Sequence, residues 1–354
     1  MNKQVPNLQI ASKGIRLRCC LFFLTGLFLG ACSESKETRV QRFLAQGNDM
    51  AQRRNYEQAV EYYKNALKLD SCFADAWNNL GTVYFQQRDF VNAETHYTRA
   101  IRCKPGYDLA HVNRANLYFE TDEMYRALKD LGTVKQQNPD TVVVYLLEGL
   151  IYTKLRDYEK AEKAFVNAIS LDNKNAELKI NLGTVYYYQG KYDSARQLLN
   201  AVINETSEPN AYNTLALIET ATGNYPAAMG WISKALAVRR NDAYYLNNRG
   251  YIYLMMNDYS KALSDINESI LQDPYNGWAY RNKGIYYLKQ SKAEDALKMF
   301  RQAVGLDPHI ENIYYYLGEA SWTMGMRVEA CGFYRTSIAH KEAFRGNLAE
   351  KCAD

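Results

Sequence analysis

Asparagine recurs at a fixed spacing along this chain, and its amide is the most regular polar chemistry in the sequence. Asn79, Asn113, Asn181, Asn248 and Asn282 follow one another at intervals of 34, 68, 67 and 34 residues. An asparagine side chain offers both N–H donors and a carbonyl acceptor, so an array of them can bind an extended polypeptide backbone without demanding a particular side chain. The same amides can instead cap helices or bridge neighbouring ones.

The sequence lacks the usual catalytic motifs. It contains no GxxxxGK[ST] phosphate loop, no HExxH zinc helix and no GxSxG nucleophile turn. The four histidines, His96, His111, His309 and His340, are scattered, and no nucleophile and base can be paired. We therefore expect no enzymatic activity, no metal and no cofactor. Loss of turnover on mutating His96 or His111 would overturn that expectation.

The first 31 residues have the organisation of an export signal. Four basic residues and no acidic residue precede an apolar segment at residues 19–30. This segment is shorter than the roughly 20 residues that a transmembrane helix needs. Residues 29–32 (Leu-Gly-Ala-Cys) resemble the lipobox of bacterial lipoproteins, in which the cysteine is diacylated and becomes the new N-terminus. The resemblance implies a signal peptide at 1–31 and a lipid, such as palmitate, on Cys32. An ordinary signal peptide or an uncleaved anchor is the alternative.

The residue after the lipidated cysteine bears on location. Ser33 stands where an aspartate would retain such a lipoprotein at the inner membrane, so the resemblance implies the outer membrane, on its periplasmic face or at the cell surface. The four basic residues of the signal account for the whole basic excess, because 39 basic and 39 acidic residues follow it. That balance argues against nucleic-acid binding.

Five cysteines follow the signal, and none forms a CxxC pair that would suggest zinc or thioredoxin-like chemistry. An exported protein can oxidise Cys72 with Cys103, or Cys331 with Cys352. Free buried thiols are the simpler alternative, and the one that we favour.

A small residue and an alanine twelve positions later recur together nine times. The interval is 34 residues throughout, apart from one interval of 33. Such a period is typical of repeat proteins. The small residues are Gly47, Gly81, Ala115, Gly149, Gly183, Ala216, Gly250, Gly284 and Gly318.

Each repeat reads as two helices of about 13 residues separated by a short polar turn, such as residues 87–89. Where two helices cross closely, only glycine or alanine lets the backbones approach. Aromatic residues, such as Tyr97 four positions after Ala93, are then expected to fill the adjacent spaces. Pro105 and its equivalents stop the second helix.

This pattern resembles the tetratricopeptide-repeat (TPR) family. The resemblance implies an all-α right-handed solenoid, or superhelix, of about nine helix pairs over residues 40–344. A lipidated tether at 32–39 would precede it, and a capping tail at 345–354 would follow. Repeat two carries the motif almost whole, in Trp77, Leu80, Gly81, Tyr84, Ala93, Tyr97, Ala100 and Pro105.

In TPR proteins the asparagine position faces the concave groove, so the resemblance implies an asparagine ladder that grips an extended peptide. Apolar residues at repeats four to six suit a partner with an apolar segment. Asp75, Leu109 and Val143 stand where a carboxylate clamp would need a cation, which disfavours a C-terminal carboxylate ligand. The predicted groove residues are Asn78, Asn79, Asn113, Asn116, Asn181, Asn213, Asn247, Asn248, Arg281 and Asn282.

The resulting hypothesis is a membrane-anchored scaffold that binds protein partners for cell-envelope assembly, secretion or wall remodelling. The alternative is a carbohydrate-handling protein that assists polysaccharide export, because aromatic rings can stack on sugars. Its candidate residues are Tyr244, Tyr251, Trp278 and Tyr315. The partner's identity, the oligomeric state and the pathway are left open.

Overall fold

The computed structural model describes residues 34–340 together with Glu342 and Cys352. Within these residues the chain forms eighteen α-helices in nine consecutive pairs, with no strand. The predicted all-α repeat class is therefore confirmed. The predicted signal peptide at 1–31 and Cys32 lie outside the described residues, as does most of the predicted tail at 345–354.

The helix bounds follow the sequence period. The first helices of the pairs are α1 (Lys36–Gln52), α3 (Ala74–Gln86), α5 (Asp108–Glu120), α7 (Val142–Lys154), α9 (Ala176–Tyr188), α11 (Pro209–Ala221), α13 (Ala243–Met255), α15 (Gly277–Lys289) and α17 (Ile313–Thr323). The second helices are α2 (Tyr56–Leu69), α4 (Phe90–Cys103), α6 (Met124–Gln137), α8 (Tyr158–Leu171), α10 (Tyr192–Glu205), α12 (Tyr225–Val238), α14 (Tyr259–Gln272), α16 (Ala293–Leu306) and α18 (Arg327–Ala339).

The chain divides into two compact units, one ending at Leu178 and the other beginning at Lys179. In both units a first helix packs against its own second helix and against the first helix of the next repeat, as α3 does with α4 and α5, and α13 with α14 and α15. The first helices therefore form a continuous layer within each unit. The apolar core lies between this layer and the second helices.

The small residue of each repeat is required by the aromatic or aliphatic side chain that covers it. A Cβ placed on Gly81 would lie 2.5 Å from the ring of Tyr97, and one on Gly149 would lie 2.6 Å from Phe165. Both rings are buried, with Tyr97 2% and Phe165 1% exposed. The sequence expectation that these rings fill the space beside the small residue is confirmed.

Every turn between the two helices of a repeat contains one residue in the left-handed region, two positions after the first helix ends. In repeat two this residue is Arg88, with φ 62°, and the turn is closed by backbone bonds of 2.9 Å from Arg88 N to Phe85 O and from Asp89 N to Tyr84 O. This is the usual way to end a helix. Only three of the nine positions are glycine, namely Gly190, Gly223 and Gly325.

The predicted tether at 32–39 is too long, because α1 already begins at Lys36. The Ser35 hydroxyl accepts a hydrogen bond from Thr38 N at 3.1 Å and caps the helix. Such a cap satisfies an amide that the first turn otherwise leaves unpaired. The first repeat is therefore extended toward the N-terminus by one helical turn.

The favoured expectation of free buried thiols is wrong. Cys72 is bonded to Cys103 and Cys331 to Cys352, with Cα atoms 5.2 and 5.7 Å apart. Cys72 is exposed and the other three are half-buried. Because α3 and α4 are antiparallel, the loop before α3 meets the end of α4, and the first disulfide closes repeat two at that end. The second joins Cys352 to Cys331 of α18.

Candidate partner-binding face

The predicted groove residues lie on the layer of first helices, and in the first unit their amides bond to one another. Asn113 Nδ2 donates to Asn78 Oδ1 at 2.9 Å, and Asn78 Nδ2 donates to Asn79 Oδ1 at 3.1 Å. Asn79 Nδ2 then donates to Asn48 Oδ1 at 2.8 Å. The chain of hydrogen bonds therefore joins α5 to α3 and α3 to α1.

The second unit repeats this arrangement and begins it with a cation. Arg281 Nη1 donates to Asn282 Oδ1 at 3.0 Å, and Asn282 Nδ2 donates to Asn247 Oδ1 at 2.8 Å. Asn247 Nδ2 donates to Asn248 Oδ1 at 3.4 Å, and Asn248 Nδ2 donates to Asn213 Oδ1 at 2.8 Å. All donors point in the same direction along the layer, from α15 through α13 to α11.

These bonds favour the interpretation that asparagine bridges neighbouring helices over that of a ladder of free amides. Six of the nine predicted asparagines are at most 4% exposed, namely Asn78, Asn79, Asn113, Asn116, Asn247 and Asn282. A buried amide must find partners inside the protein, and for all of these except Asn116 a neighbouring asparagine supplies one. The expectation that these six present their amides openly to a partner is therefore corrected, while a binding role for the layer stays a prediction.

The sequence did contain a signal for the bridging. The donor in one repeat and the acceptor in the preceding repeat are 35 residues apart in three cases, Asn113 to Asn78, Asn248 to Asn213 and Asn282 to Asn247. Pairs of asparagines separated by one repeat plus one residue, or 35 residues, therefore indicate contact between the first helices of consecutive repeats.

Three of the predicted asparagines, Asn181, Asn213 and Asn248, are half-buried and reach the surface. Two carbonyl oxygens in the first unit, Asn113 Oδ1 and Asn116 Oδ1, accept no hydrogen bond from the described residues. Some polar atoms in this layer therefore have no hydrogen-bond partner among the described residues.

Arg281, a predicted groove residue, lies among aromatic rings that the repeat pattern did not predict as its neighbours. Its guanidinium lies over three rings, with 5.3 Å to Tyr251, 5.4 Å to Trp278 and 5.3 Å to Tyr316 between the carbon Cζ and each ring centroid. Tyr316 is in turn stacked on Phe300, with centroids 5.5 Å apart. These four residues, Arg281 with Tyr251, Trp278 and Tyr316, are called the arginine cage. The offset of 35 between Arg281 and Tyr316 is again one repeat plus one residue.

The sequence matches models of a known protein family. Models of the tetratricopeptide repeat match residues 44–108 and 281–330, 152–218, and 210–241. This chain belongs to the tetratricopeptide-repeat family. TPR proteins act as protein-interaction scaffolds and are generally not catalytic.

Curated relatives of this TPR chain are distant. BBSome complex member BBS4 of Bos taurus is 22% identical over 253 residues, which is 71% of this chain and 49% of the relative. Hsp70-Hsp90 organizing protein 3 of Arabidopsis thaliana is 22% identical over 250 residues, which is 65% of this chain and 42% of the relative. The chain thus spans about half or less of these relatives.

Solved structures show the same fold. The hetero-tetramer Cut9-Hcn1 of the APC/C superposes with a TM-score of 0.57 and 14% identity, covering 92% of this chain and 77% of that one. PilF of Pseudomonas aeruginosa superposes with a TM-score of 0.53 and 17% identity, covering 59% and 96%. At these identities the likeness concerns the fold alone.

The TPR chain also holds a buried charged cluster between α5 and α6. His111 Nδ1 lies 3.0 Å from Asp130 Oδ1 and His111 Nε2 lies 3.0 Å from Pro105 O. Arg114 donates to both oxygens of Asp130 at 2.7 Å. The hydrogen bond to Asp130 raises the pKa of His111. Burial alone would raise the pKa of Asp130, but the bonds from Arg114 and His111 hold it below its usual value.

Among the described residues, the rings of His96, His309 and His340 form no hydrogen bond to a carboxylate. His96 is stacked between Trp77 and Tyr84, with centroids 5.4 and 5.1 Å away, and its burial lowers its pKa to about 4. Within the described residues, no group of three or more His, Cys, Asp and Glu side chains could hold a metal ion. His340 packs against the rings of His309 and Tyr314, with centroids 6.0 and 4.8 Å away.

Proposed function

We propose that this TPR chain is a lipid-anchored scaffold that binds protein partners on its layer of first helices. It serves cell-envelope assembly, secretion or wall remodelling at the outer membrane, and it catalyses nothing itself. The observation that carries the proposal is the continuous layer of first helices within each unit, which presents polar and aromatic side chains from successive repeats. Many weak contacts along such a surface add up to stable binding.

Family membership supports the scaffold role. Two relatives are named for assemblies, an organizing protein of Hsp70 and Hsp90 and a member of the BBSome complex. The chain's own partner differs from theirs in this proposal, because the anchor would place it in a bacterial envelope.

Two features support the envelope location. The lipobox-like residues 29–32 would place a diacylated Cys32 at the mature N-terminus, and two acyl chains suffice for stable anchoring. The disulfides Cys72–Cys103 and Cys331–Cys352 are typical of oxidising compartments. No helix among residues 34–340 is long and apolar enough to cross a membrane.

The structure favours protein partners over sugars for this face. Among the four aromatic candidates for sugar stacking, Tyr251 and Trp278 lie against the Arg281 guanidinium in the arginine cage. Tyr244 and Tyr315 are half-buried. Ring faces that are already covered by a cation are not available to stack on a sugar.

The anchor is tested by labelling cells with a palmitate analogue and comparing the wild type with Cys32→Ser. We expect label and membrane association in the wild type and neither in the variant. Export without label in the wild type would refute the lipid anchor and leave an ordinary signal peptide.

The scaffold is tested by crosslinking in the native envelope, purification and mass spectrometry. Leu217 is half-buried and lies one helical turn after Asn213 on α11, so Leu217→Arg places a charge on the proposed face. The matched control is Val91→Arg, since Val91 is 78% exposed on the second helix α4. We expect a recurrent set of envelope proteins that is lost in Leu217→Arg and retained in Val91→Arg. Recovered glycan without protein would favour the carbohydrate alternative.

A further inference from the structure

Within the part of the chain that the structure describes, Arg281 is buried without a carboxylate partner, unlike three partly buried arginines of the same chain. Arg114, Arg196 and Arg249 each pair with an acid, namely Asp130, Glu219 and Asp265. Arg281 is 5% exposed, and among the described residues it forms no ion pair. A buried charge without a counter-ion is costly, and proteins keep one mainly where something else neutralises it.

The hydrogen bonds of Arg281 leave one nitrogen available. Nη1 donates to Asn282 Oδ1, and Nε is buried with no acceptor. Nη2 makes no hydrogen bond to a described residue and, unlike Nε, is not sealed from solvent. A guanidinium is a planar fork of five donors that matches a carboxylate. The N–H groups of Nη2 are therefore available to a carboxylate.

The cage holds the guanidinium in place but does not neutralise it. Cation–π contacts with Tyr251, Trp278 and Tyr316 partly replace lost hydration, yet the rings carry no net charge. Glu311 acts electrostatically on Tyr187 and on Tyr316 of the cage, but it is exposed and forms no ion pair with Arg281. The second unit therefore offers a fixed, unneutralised cation on its layer of first helices.

We propose that the arginine cage binds the side-chain carboxylate of an aspartate or glutamate in an extended segment of the partner protein. The proposal rests on the scaffold function above and specifies its partner as acidic at one position. Asn282 accepts from Arg281 Nη1 and is itself held by its bond to Asn247, and the three rings exclude water around the ion pair. A protein ligand is preferred to a sugar because the cation already covers the ring faces of Tyr251 and Trp278.

The test uses the full-length chain in detergent and phage that display random twelve-residue peptides. Wild type, Arg281→Gln and Lys289→Gln are each used for selection. Lys289 is the matched control because it is the exposed last residue of the same helix, α15. We expect wild type and Lys289→Gln to enrich peptides with an acid at one fixed position, and Arg281→Gln to lose that enrichment.

A second measurement changes the peptide and not the protein, so its result does not depend on whether a protein variant folds. Replacing the selected acid with its amide should weaken binding to the wild type by at least about tenfold, as expected for the loss of a charge-assisted hydrogen bond. Equal binding of acid and amide peptides would overturn the arginine-cage proposal and leave the scaffold standing. Failure to enrich any peptide would instead count against the scaffold itself, and the cage proposal would fall with it. Binding of an oligogalacturonide in place of acidic peptides, lost in Arg281→Gln, would assign the cage to acidic sugars and overturn the proposal.

Discussion

Asn282 links two first helices and also accepts from Arg281, so its side chain serves two buried partners. Asn282→Ala would leave Asn247 Oδ1 and Arg281 Nη1 unpaired in the interior. Each unsatisfied buried group costs about 1–3 kcal/mol, so we expect the free energy of unfolding to fall by at least that amount. Urea unfolding followed by circular dichroism measures the change.

The half-buried Asn181 provides the control for this substitution. Asn181→Ala should change the free energy of unfolding by less than about 0.5 kcal/mol, as for surface positions in general. Equal effects of the two substitutions would show that the bridging amides contribute no more than surface amides.

Protonation of His111 should make stability depend on pH. Both ring nitrogens face acceptors, so the folded state favours the imidazolium and its pKa is raised above 6.5. A raised folded pKa gives stability that is fully present below the unfolded pKa and is lost as pH rises through the folded pKa. We therefore expect the stability advantage of wild type over His111→Gln to shrink as pH rises above 6.5.

His96 acts in the opposite sense and in another range. Its folded pKa of about 4 lies below the ordinary 6.5, so its contribution is present above pH 6.5 and is lost as pH falls toward 4. Urea midpoints of wild type and His111→Gln are measured at several pH values. Because both proteins contain His96, the difference between their midpoints reports the contribution of His111 alone. An advantage that does not fall as pH rises above 6.5 would contradict a protonated His111.

At the scale of the helix pair, the left-handed turn residue is a repeated local feature that can be tested with two glycines of repeat six. Gly223 occupies the turn with φ 81°, whereas Gly230 lies within α12, and a Cβ on either would meet nothing within 4 Å. Gly223→Ala should lower the free energy of unfolding by about 1 kcal/mol, because an L residue is disfavoured in the left-handed region. Gly230→Ala should raise it by up to about 1 kcal/mol, because alanine is the better helix former.

Opposite signs in thermal or urea unfolding would establish that backbone conformation, and not packing, selects glycine at this turn. The same sign for both variants would contradict the assignment of the turn. Six of the nine repeats place other residues there, such as Arg88 and Ser291, so packing within the repeats offsets this cost.

At the scale of the whole molecule, the two disulfides join parts of the chain outside the helix interfaces. One joins the loop before α3 to the end of α4, and the other joins α18 to Cys352. The Cys72–Cys103 bond spans 31 residues, and loss of a loop closure of that length should cost about 2–4 kcal/mol. We expect Cys72→Ser/Cys103→Ser to lower the thermal midpoint, and reductant to bring wild type close to the variant. Alkylation of all four cysteines in unreduced protein from the envelope would refute the disulfides.

Much of the architecture followed from a local periodic rule. The 34-residue spacing of small residues predicted the helix pairs, because a glycine such as Gly81 allows a ring such as Tyr97 to pack at a close helix crossing. These partners lie within one repeat, so a regular pattern of residue types is enough to predict their contact. The start of α1 at Lys36 was missed, because a capped first turn can precede the first residue of the repeat pattern.

The pairing of side chains between repeats could not be predicted in the same way. The sequence placed Asn78 and Asn113 at groove positions, but whether an amide bonds to the next helix or faces solvent depends on the spacing and rotation of neighbouring helices. Arg281 lies among three rings contributed by three successive first helices, and this arrangement depends on the same geometry. A contact within a repeat is determined by local periodicity, whereas a contact between repeats is determined by how the helices stack.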